Sequence, residues 1–166
     1  MRLDFASGRG RNGDALRRAG FVVVSIDDRR ASSPHPLDGI ASNFDAAIST
    51  HGLLHGSIGS IASRLQAIAA RLKPDGLLNA TFGSTRDARF GQGKRLDDAT
   101  FAPLDGDERG VAHTYFDRKR LTALLAPWFE LESIEECDAD AIAGSWAHRQ
   151  RPLRGAVHWM AIARRR

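Results

Sequence analysis

With 166 residues, 42% of them hydrophobic and 27% charged, the chain is long enough for one domain with a buried sheet, expected over residues 1–166, and short for two. No apolar run approaches the roughly 20 residues that span a bilayer, the opening Met1–Gly8 lacks the apolar core of a secretory signal, and the lone Cys137 excludes an internal disulfide or a thiolate zinc site, so a soluble, cytoplasmic protein is expected. The net charge of +4 comes from scattered arginines, ending in Arg164, Arg165 and Arg166, with no interleaved aromatic residues; this describes a solvated basic surface, and no nucleic-acid partner is expected.

In chain order, Leu3–Phe5 reads as a short buried strand and Ser7–Gly13 as a glycine-rich turn. Asp14–Ala19 then reads as a helix closed by Gly20 at C′, and Phe21–Ile26 as a second strand. A strand, crossover helix and strand imply parallel pairing, and apolar runs without alternation imply a sheet covered on both faces. Residues 29–43, rich in Ser, Pro, Gly and Arg, read as a surface connection before a strand at Phe44–Ser49. Ile58, Ile61, Leu65, Ile68 and Leu72 recur at spacings of three and four, which places one stripe of a helix against the sheet. Lys73-Pro74-Asp75-Gly76 stops that helix and Leu77–Phe82 resumes as strand. Gly83–Thr114 is too long for a mere connector and reads as a lid loop. Asp117 caps the next helix, with Phe116 placed to staple against Leu121, and Pro127 follows it. Phe129–Glu135 and Val157–Ala163 read as two late strands, separated by a loop in which Trp146 and His148 serve as anchors.

Gly8-Arg9-Gly10-Arg11-Asn12-Gly13 satisfies G-x-G-x-x-G, and Asp27 ends the following strand at the distance a dinucleotide fingerprint asks. Glycines let the backbone approach a ligand, amides at a helix start favour an anionic group, and a carboxylate at the next strand end accepts hydrogen bonds from ribose hydroxyls. NAD and S-adenosylmethionine (SAM) both offer a ribose and an anion, so the loop alone leaves the two open.

Four separated segments together resemble the class I SAM-dependent methyltransferases. Leu3-Asp4-Phe5-Ala6-Ser7-Gly8-Arg9-Gly10-Arg11-Asn12 is similar to the family's first motif, an acidic residue followed by a glycine loop. Asp27 falls where the family places its ribose-binding acid; Phe44-Asp45-Ala46-Ala47-Ile48-Ser49-Thr50-His51 resembles its fourth strand, and Leu72-Lys73-Pro74-Asp75-Gly76-Leu77-Leu78 its lead into the fifth. Within the family, Ser84–Gly91 and His113-Thr114-Tyr115-Phe116 are similar to the small bacterial tellurite-resistance methyltransferases. The resemblance implies an α/β, Rossmann-like three-layer sandwich, mostly parallel with an antiparallel C-terminal strand. It also implies that Asp4, Ala6, Gly8, Arg9 and Gly10 surround the amino-acid end of SAM, that Asp27 and Asp28 serve the ribose, and that Ser49, Thr50 and His51 lie beside the sulfonium.

Some features depart from the family. Ala6 stands where the loop's leading glycine is usual, which suits a negative φ and not a positive one. Nothing ahead of Leu3 matches the family's N-terminal helix, so a domain trimmed at that end is expected. About 15 residues separate Asp28 from Phe44, too few for helix, strand and return, so the third strand of the usual seven is expected to be missing; its adenine-contacting acid is then absent or supplied by Asp38. The second strand becomes an exposed edge, a route to a homodimer.

Methyl transfer needs alignment of the nucleophile and exclusion of water, and a general base only where the acceptor loses a proton. His51, His113 and Tyr115 are the candidate catalytic residues, with His55 beside them; Tyr115 has packing as its alternative. His51 and His55, spaced i,i+4, lack a carboxylate third ligand, and no metal is expected. Arg86, Asp87 and Arg89 either bind an anionic acceptor or pair with one another. The expectation is a SAM-dependent methyltransferase acting on a small molecule; the rivals are a non-catalytic SAM-binding or interaction module and an NAD-dependent oxidoreductase.

Overall fold

β1 (Arg2–Phe5) is the pivot of the sheet, because it pairs in parallel with β2 (Val23–Ile26) on one side and with β3 (Phe44–Ser49) on the other. The computed structural model describes residues 1–27, 37–40, 42–138 and 155–166. β3 pairs in parallel with β4 (Leu72–Ser84), which is flanked antiparallel by β9 (Val157–Arg165), itself antiparallel to β8 (Phe129–Asp138). The resulting order β2-β1-β3-β4-β9-β8 holds the six strands expected, mostly parallel with an antiparallel strand near the end, and three further short strands off the end of β4 bring the sheet to nine among the described residues. Among the described residues no strand lies between Ile26 and Phe44, and β2 is the outer strand.

Among the described residues, three helices connect these strands. α1 (Arg11–Arg18) starts earlier than Asp14, at the residue after Gly10, whose φ of 82° turns the chain into it. Its end is a Schellman motif: Gly20 N–H donates to the Arg17 carbonyl and Phe21 N–H to the Leu16 carbonyl, with Gly20 at φ 89°. That closure occupies Phe21, so β2 begins at Val23. α2 (Ile58–Arg71) is capped by Ser57, whose Oγ accepts from Ser60 N–H, and buries Ile61, Leu65 and Ile68. Leu72 is already extended and pairs with Phe44, one residue ahead of Lys73, whose place before Pro74 disfavours the α region, so the helix ends short of the proline. Lys73–Gly76 then bulge between the pairs Phe44–Leu72 and Ala46–Leu77. α3 (Arg118–Leu125) carries the expected cap, with Asp117 accepting from Arg120 N–H at 2.7 Å, and Phe116 and Leu121 both lie in the core.

Alternation along β1 divides the two faces of the sheet. Leu3 and Phe5 join Ile61, Leu65 and Ile68 of α2 and Leu121 and Leu125 of α3 in one buried cluster. Asp4, between them, points to the other face and accepts from Gly13 N–H of α1 at 2.9 Å. That second face is thinly covered beyond β1 and β2: Asn79 in central β4 is exposed, as are Met160 and Ile162, which sit opposite Thr81 and Asn79 on β9.

The expected lid is more ordered than a loop. It holds β5 (Lys94–Arg95), β6 (Thr100–Ala102) and the start of β7 (His113–Phe116), paired antiparallel in succession, while β7 joins the end of β4 in parallel through Gly83–Tyr115 and Ser84–Phe116. These strands are short, and β6 and β7 bury polar Thr100, His113 and Thr114 together with apolar Phe101, Tyr115 and Phe116, so no alternation marked them; Thr100 and Thr114 share a hydrogen bond at 2.9 Å.

Candidate functional site

The chain leaves β1 in one direction for β2 and returns on the other side of β1 for β3, and at such a reversal the carboxyl ends of parallel strands leave a crevice open to a ligand. The residues after β1, β2 and β3 therefore meet there. Ser7 N–H donates to the Ile26 carbonyl at 2.9 Å and Gly10 N–H to the Ser7 carbonyl at 2.8 Å, so the loop lies directly beside Asp27. Ala6, Gly8 and Gly10 all have positive φ, at 58°, 53° and 82°. The negative φ that would suit Ala6 is not found; the alanine occupies a left-handed position. A Cβ built on Gly10 would meet only the Asp14 carboxylate, at 3.9 Å, so this side of the loop is open.

Asp4 is fully buried beneath the loop. Its Oδ2 accepts from Gly13 N–H at 2.9 Å and from Ser25 Oγ at 3.3 Å, tying α1 to β1 and β2, while its Oδ1 is buried with no hydrogen-bond partner among the described residues. Burial raises its carboxyl above the ordinary value, against the lowering effect of the Gly13 hydrogen bond. Arg9 is exposed and Asp27 half-buried, whereas Asp28, Trp146 and His148 lie outside the described residues. Asp38 is exposed, and its neighbour Leu37 is held through its carbonyl by Arg71 at the far end of α2, so Asp38 sits at the opposite edge of the sheet from the glycine loop.

The loop after β3 forms the other wall. Thr50 Oγ1 accepts from Asn12 Nδ2 at 2.7 Å, a bond across the crevice that joins the start of α1 to the end of β3. Ser49 is fully buried, and its Oγ has no partner among the described residues. His51 has a φ of 61°, its N–H donates to Thr81 Oγ1 at 3.0 Å, and a Cβ at Gly52 would collide with Ala6 Cβ at 2.3 Å; only glycine lets this loop close against the first one.

Behind this wall lie four histidines. His51 and His158 meet edge to face at 4.8 Å, as do His55 and His113. Burial, reinforced by the neighbouring His158, lowers His51 to about 2; burial lowers His158 to about 4. Both rings are neutral at physiological pH. Glu108 lies between His55 and His113, whose imidazoles hold its carboxyl well below the ordinary value. Tyr115 is buried against Phe90 and Phe101, and burial raises its phenol to about 12.

The arginine-rich segment pairs internally. Asp87 is buried and accepts from Arg89 N–H, Nε and Nη2 and from Val157 N–H, all between 2.8 and 3.0 Å, while Arg86 pairs with Glu136 at 2.7 Å. Burial alone would raise the Asp87 carboxyl, but the Arg89 hydrogen bonds hold it below the ordinary value.

Sequence reasoning brought together the loop residues and His51. It missed Asn12, which lies inside the glycine motif, and Glu108 and His158, which reach this region from distant segments without a local signal.

No protein-family model matches the chain, and no curated protein does. Among solved structures, a SAM-dependent methyltransferase from Methanosarcina mazei is similar at 18% identity and TM-score 0.70, over 98% of this chain and 91% of that one. The 1,6-didemethyltoxoflavin-N1-methyltransferase of Burkholderia thailandensis, with bound 1,6-didemethyltoxoflavin and S-adenosylhomocysteine, is similar at 19% and 0.65, over 99% and 70%. The magnesium protoporphyrin IX methyltransferase of Synechocystis PCC 6803, with bound SAM, is similar at 12% and 0.61, over 100% and 70%. The chain therefore has the Rossmann-like α/β fold of the SAM-dependent methyltransferases.

Proposed function

We propose that the chain binds SAM in the crevice at the ends of β1, β2 and β3 and is a methyltransferase for a small-molecule acceptor. The observation that carries this reading is the backbone of Ala6–Gly10, wound through three positive φ angles beside Asp27 and open on its outer side. Two buried oxygens without partners among the described residues, Asp4 Oδ1 and Ser49 Oγ, offer acceptors at the two walls and fit a ligand carrying an ammonium and hydroxyls. Bound there, SAM supplies an electrophilic methyl group on a sulfonium. The residues of this chain have the work of holding it: Gly8 and Gly10 leave the backbone close, Asp27 receives ribose hydroxyls, and Ser49, Thr50 and His51 flank the reacting end. Asp28 belongs to the same ribose proposal.

His51, kept neutral by burial and lowered to about 2, is too weak a base to take a proton from the acceptor, and its proposed role is to contact and orient the acceptor at the reacting end. Tyr115, with its phenol raised, stays protonated and acts in the wall of the site. The small-molecule acceptor is supported by the toxoflavin precursor and the magnesium porphyrin named for two of the similar structures.

A second reading, SAM binding without transfer, is favoured by the thin cover over Asn79, Met160 and Ile162. Calorimetric titration of the full chain with SAM, S-adenosylhomocysteine and NAD separates the possibilities. SAM and its product should bind, and Asp27→Ala should weaken both at least about tenfold, the loss expected for a charge-assisted hydrogen bond, while retaining the native circular dichroism. Binding of NAD without SAM would overturn the proposal. Tight SAM binding with no transfer to a broad acceptor panel would establish the second reading.

A further inference from the structure

From the side chains of His55, Glu108 and His113, we propose a binding site for a divalent first-row transition-metal ion, with Zn²⁺ as the best match, ligated by His55 Nε2, His113 Nε2 and the Glu108 carboxylate. These ligand atoms all lie within 4.8 Å of one another. The site lies beside the SAM crevice, and metal binding there does not depend on SAM binding.

The backbone sets the two histidines in place before any ion arrives. His55 and His113 are an isolated antiparallel bridge, flanked by Gly56 N–H to the Ala112 carbonyl and Thr114 N–H to the Leu54 carbonyl, each at 2.8 Å. Those flanking bonds make them a non-hydrogen-bonded pair, the arrangement in which facing side chains come closest. Arg64 Nη1 donates to the His55 carbonyl at 2.8 Å and Thr114 Oγ1 to the Gly56 carbonyl at 2.6 Å, which fixes the short segment carrying His55. Glu108 comes from the turn ahead of β7, folded back by Val111 N–H onto the Glu108 carbonyl and Gly110 N–H onto the Pro103 carbonyl, both at 2.9 Å.

Hydrogen positions follow from the partners. His113 Nδ1 lies 2.8 Å from the Val111 carbonyl, which only accepts, so Nδ1 carries the proton. In the neutral ring Nε2 is then a bare lone pair, and it faces Glu108 Oε2 at 3.1 Å. A positive charge must join the two atoms at that distance, either a second proton on the ring or a metal ion. His55 repeats the arrangement: its Nε2 is shut off from solvent, makes no aligned hydrogen bond among the described residues, and faces Glu108 Oε1 at 3.4 Å. A single metal ion joins both contacts at once, where protons would have to be placed on each ring separately. An imidazole whose other nitrogen donates to a backbone carbonyl is also the tautomer that metal-ligating histidines take.

Donor chemistry selects the ion. Two imidazole nitrogens and one carboxylate suit Zn²⁺ and its first-row neighbours and not Mg²⁺, which prefers an all-oxygen shell. Ligand atoms about 2.0–2.1 Å from a tetrahedral Zn²⁺ are about 3.4 Å apart; each imidazole nitrogen lies near that distance from one carboxylate oxygen, 3.1 Å for His113 to Oε2 and 3.4 Å for His55 to Oε1, and binding draws the set, now within 4.8 Å, onto one ion. Three protein ligands leave a position for an exchangeable one.

The test is a titration of the tag-free full chain, stripped with chelator, against Zn²⁺ by calorimetry and against Co²⁺ by visible absorption. Stoichiometric binding is expected, with Co²⁺ displaced by Zn²⁺ and Mg²⁺ inert. His55→Asn, at the more exposed of the two histidines, and Glu108→Gln should each lose at least about 100-fold in affinity while retaining the native circular dichroism. Zn²⁺ affinity no better than about millimolar in the wild-type chain, or unchanged affinity in both variants, would overturn the proposal. SAM titration of the stripped chain is read separately, so failure of the metal site and failure of the SAM site remain distinguishable.

Discussion

Ala6 bears the clearest local strain near the crevice. A residue with a Cβ held at φ 58° costs on the order of 1–3 kcal/mol, and glycine at the same place gives back roughly 0.5–1 kcal/mol through its greater freedom in the unfolded chain. Ala6→Gly is therefore expected to stabilise the chain by about 1 kcal/mol in denaturant titrations, with its slope unchanged. A loss of stability would instead mean that the packing of the Ala6 methyl against Gly52, whose own Cβ position lies 2.3 Å from it, outweighs the backbone strain. The sequence made this residue visible as a departure from a glycine-led motif, but the sign of its φ belongs to the folded loop.

Between elements, the Asp87 carboxylate does the joining. It binds Arg89 in a fork and also receives Val157 N–H, so it links the segment after β4 to the start of β9. Asp87→Ala would leave a partly exposed guanidinium and a backbone N–H without their acceptor, at an expected cost of about 2–4 kcal/mol, reduced from the fully buried case because solvent reaches Arg89. A fall in melting temperature of several degrees would register it, and a neutral result would show that this corner opens in solution. The sequence left these charges as either an anion site or an internal pair. It could not choose, because Val157 lies 70 residues away from Asp87.

For the whole molecule, the buried histidines predict the acid limb of stability. His51 at about 2 and His158 at about 4 stay neutral in the folded chain, whereas in the unfolded chain they take up protons below the ordinary 6.5. Unfolding then binds more protons, so stability falls as pH drops below 6.5, continuing to about 4 for His158 and further for His51. Glu108, depressed by its imidazole neighbours, acts in the same direction at lower pH. Between pH 7 and pH 5 the two histidines should remove on the order of 2–4 kcal/mol, measurable as a falling denaturation midpoint. Replacing His158 with Gln should flatten that slope, and an unchanged slope would show that the ring is protonated in the folded chain.

The sequence by itself determined the elements of the α/β sheet and the glycine loop with Asp27, because these depend on apolar runs, glycines and caps that act within a few residues. It also determined the shortened link between the second and third strands, since chain length alone limits what fits there. Tertiary structure decided which distant residues share a site. His55, Glu108 and His113 meet only because an isolated bridge lays the segment after β3 against β7, and long-range pairing of this kind leaves no periodic trace in either segment. The same folding placed Asp38 at the far edge of the sheet and turned the expected lid into three short strands, in which Thr100 and Thr114 are buried with a hydrogen bond between them beside buried Phe101, Tyr115 and Phe116.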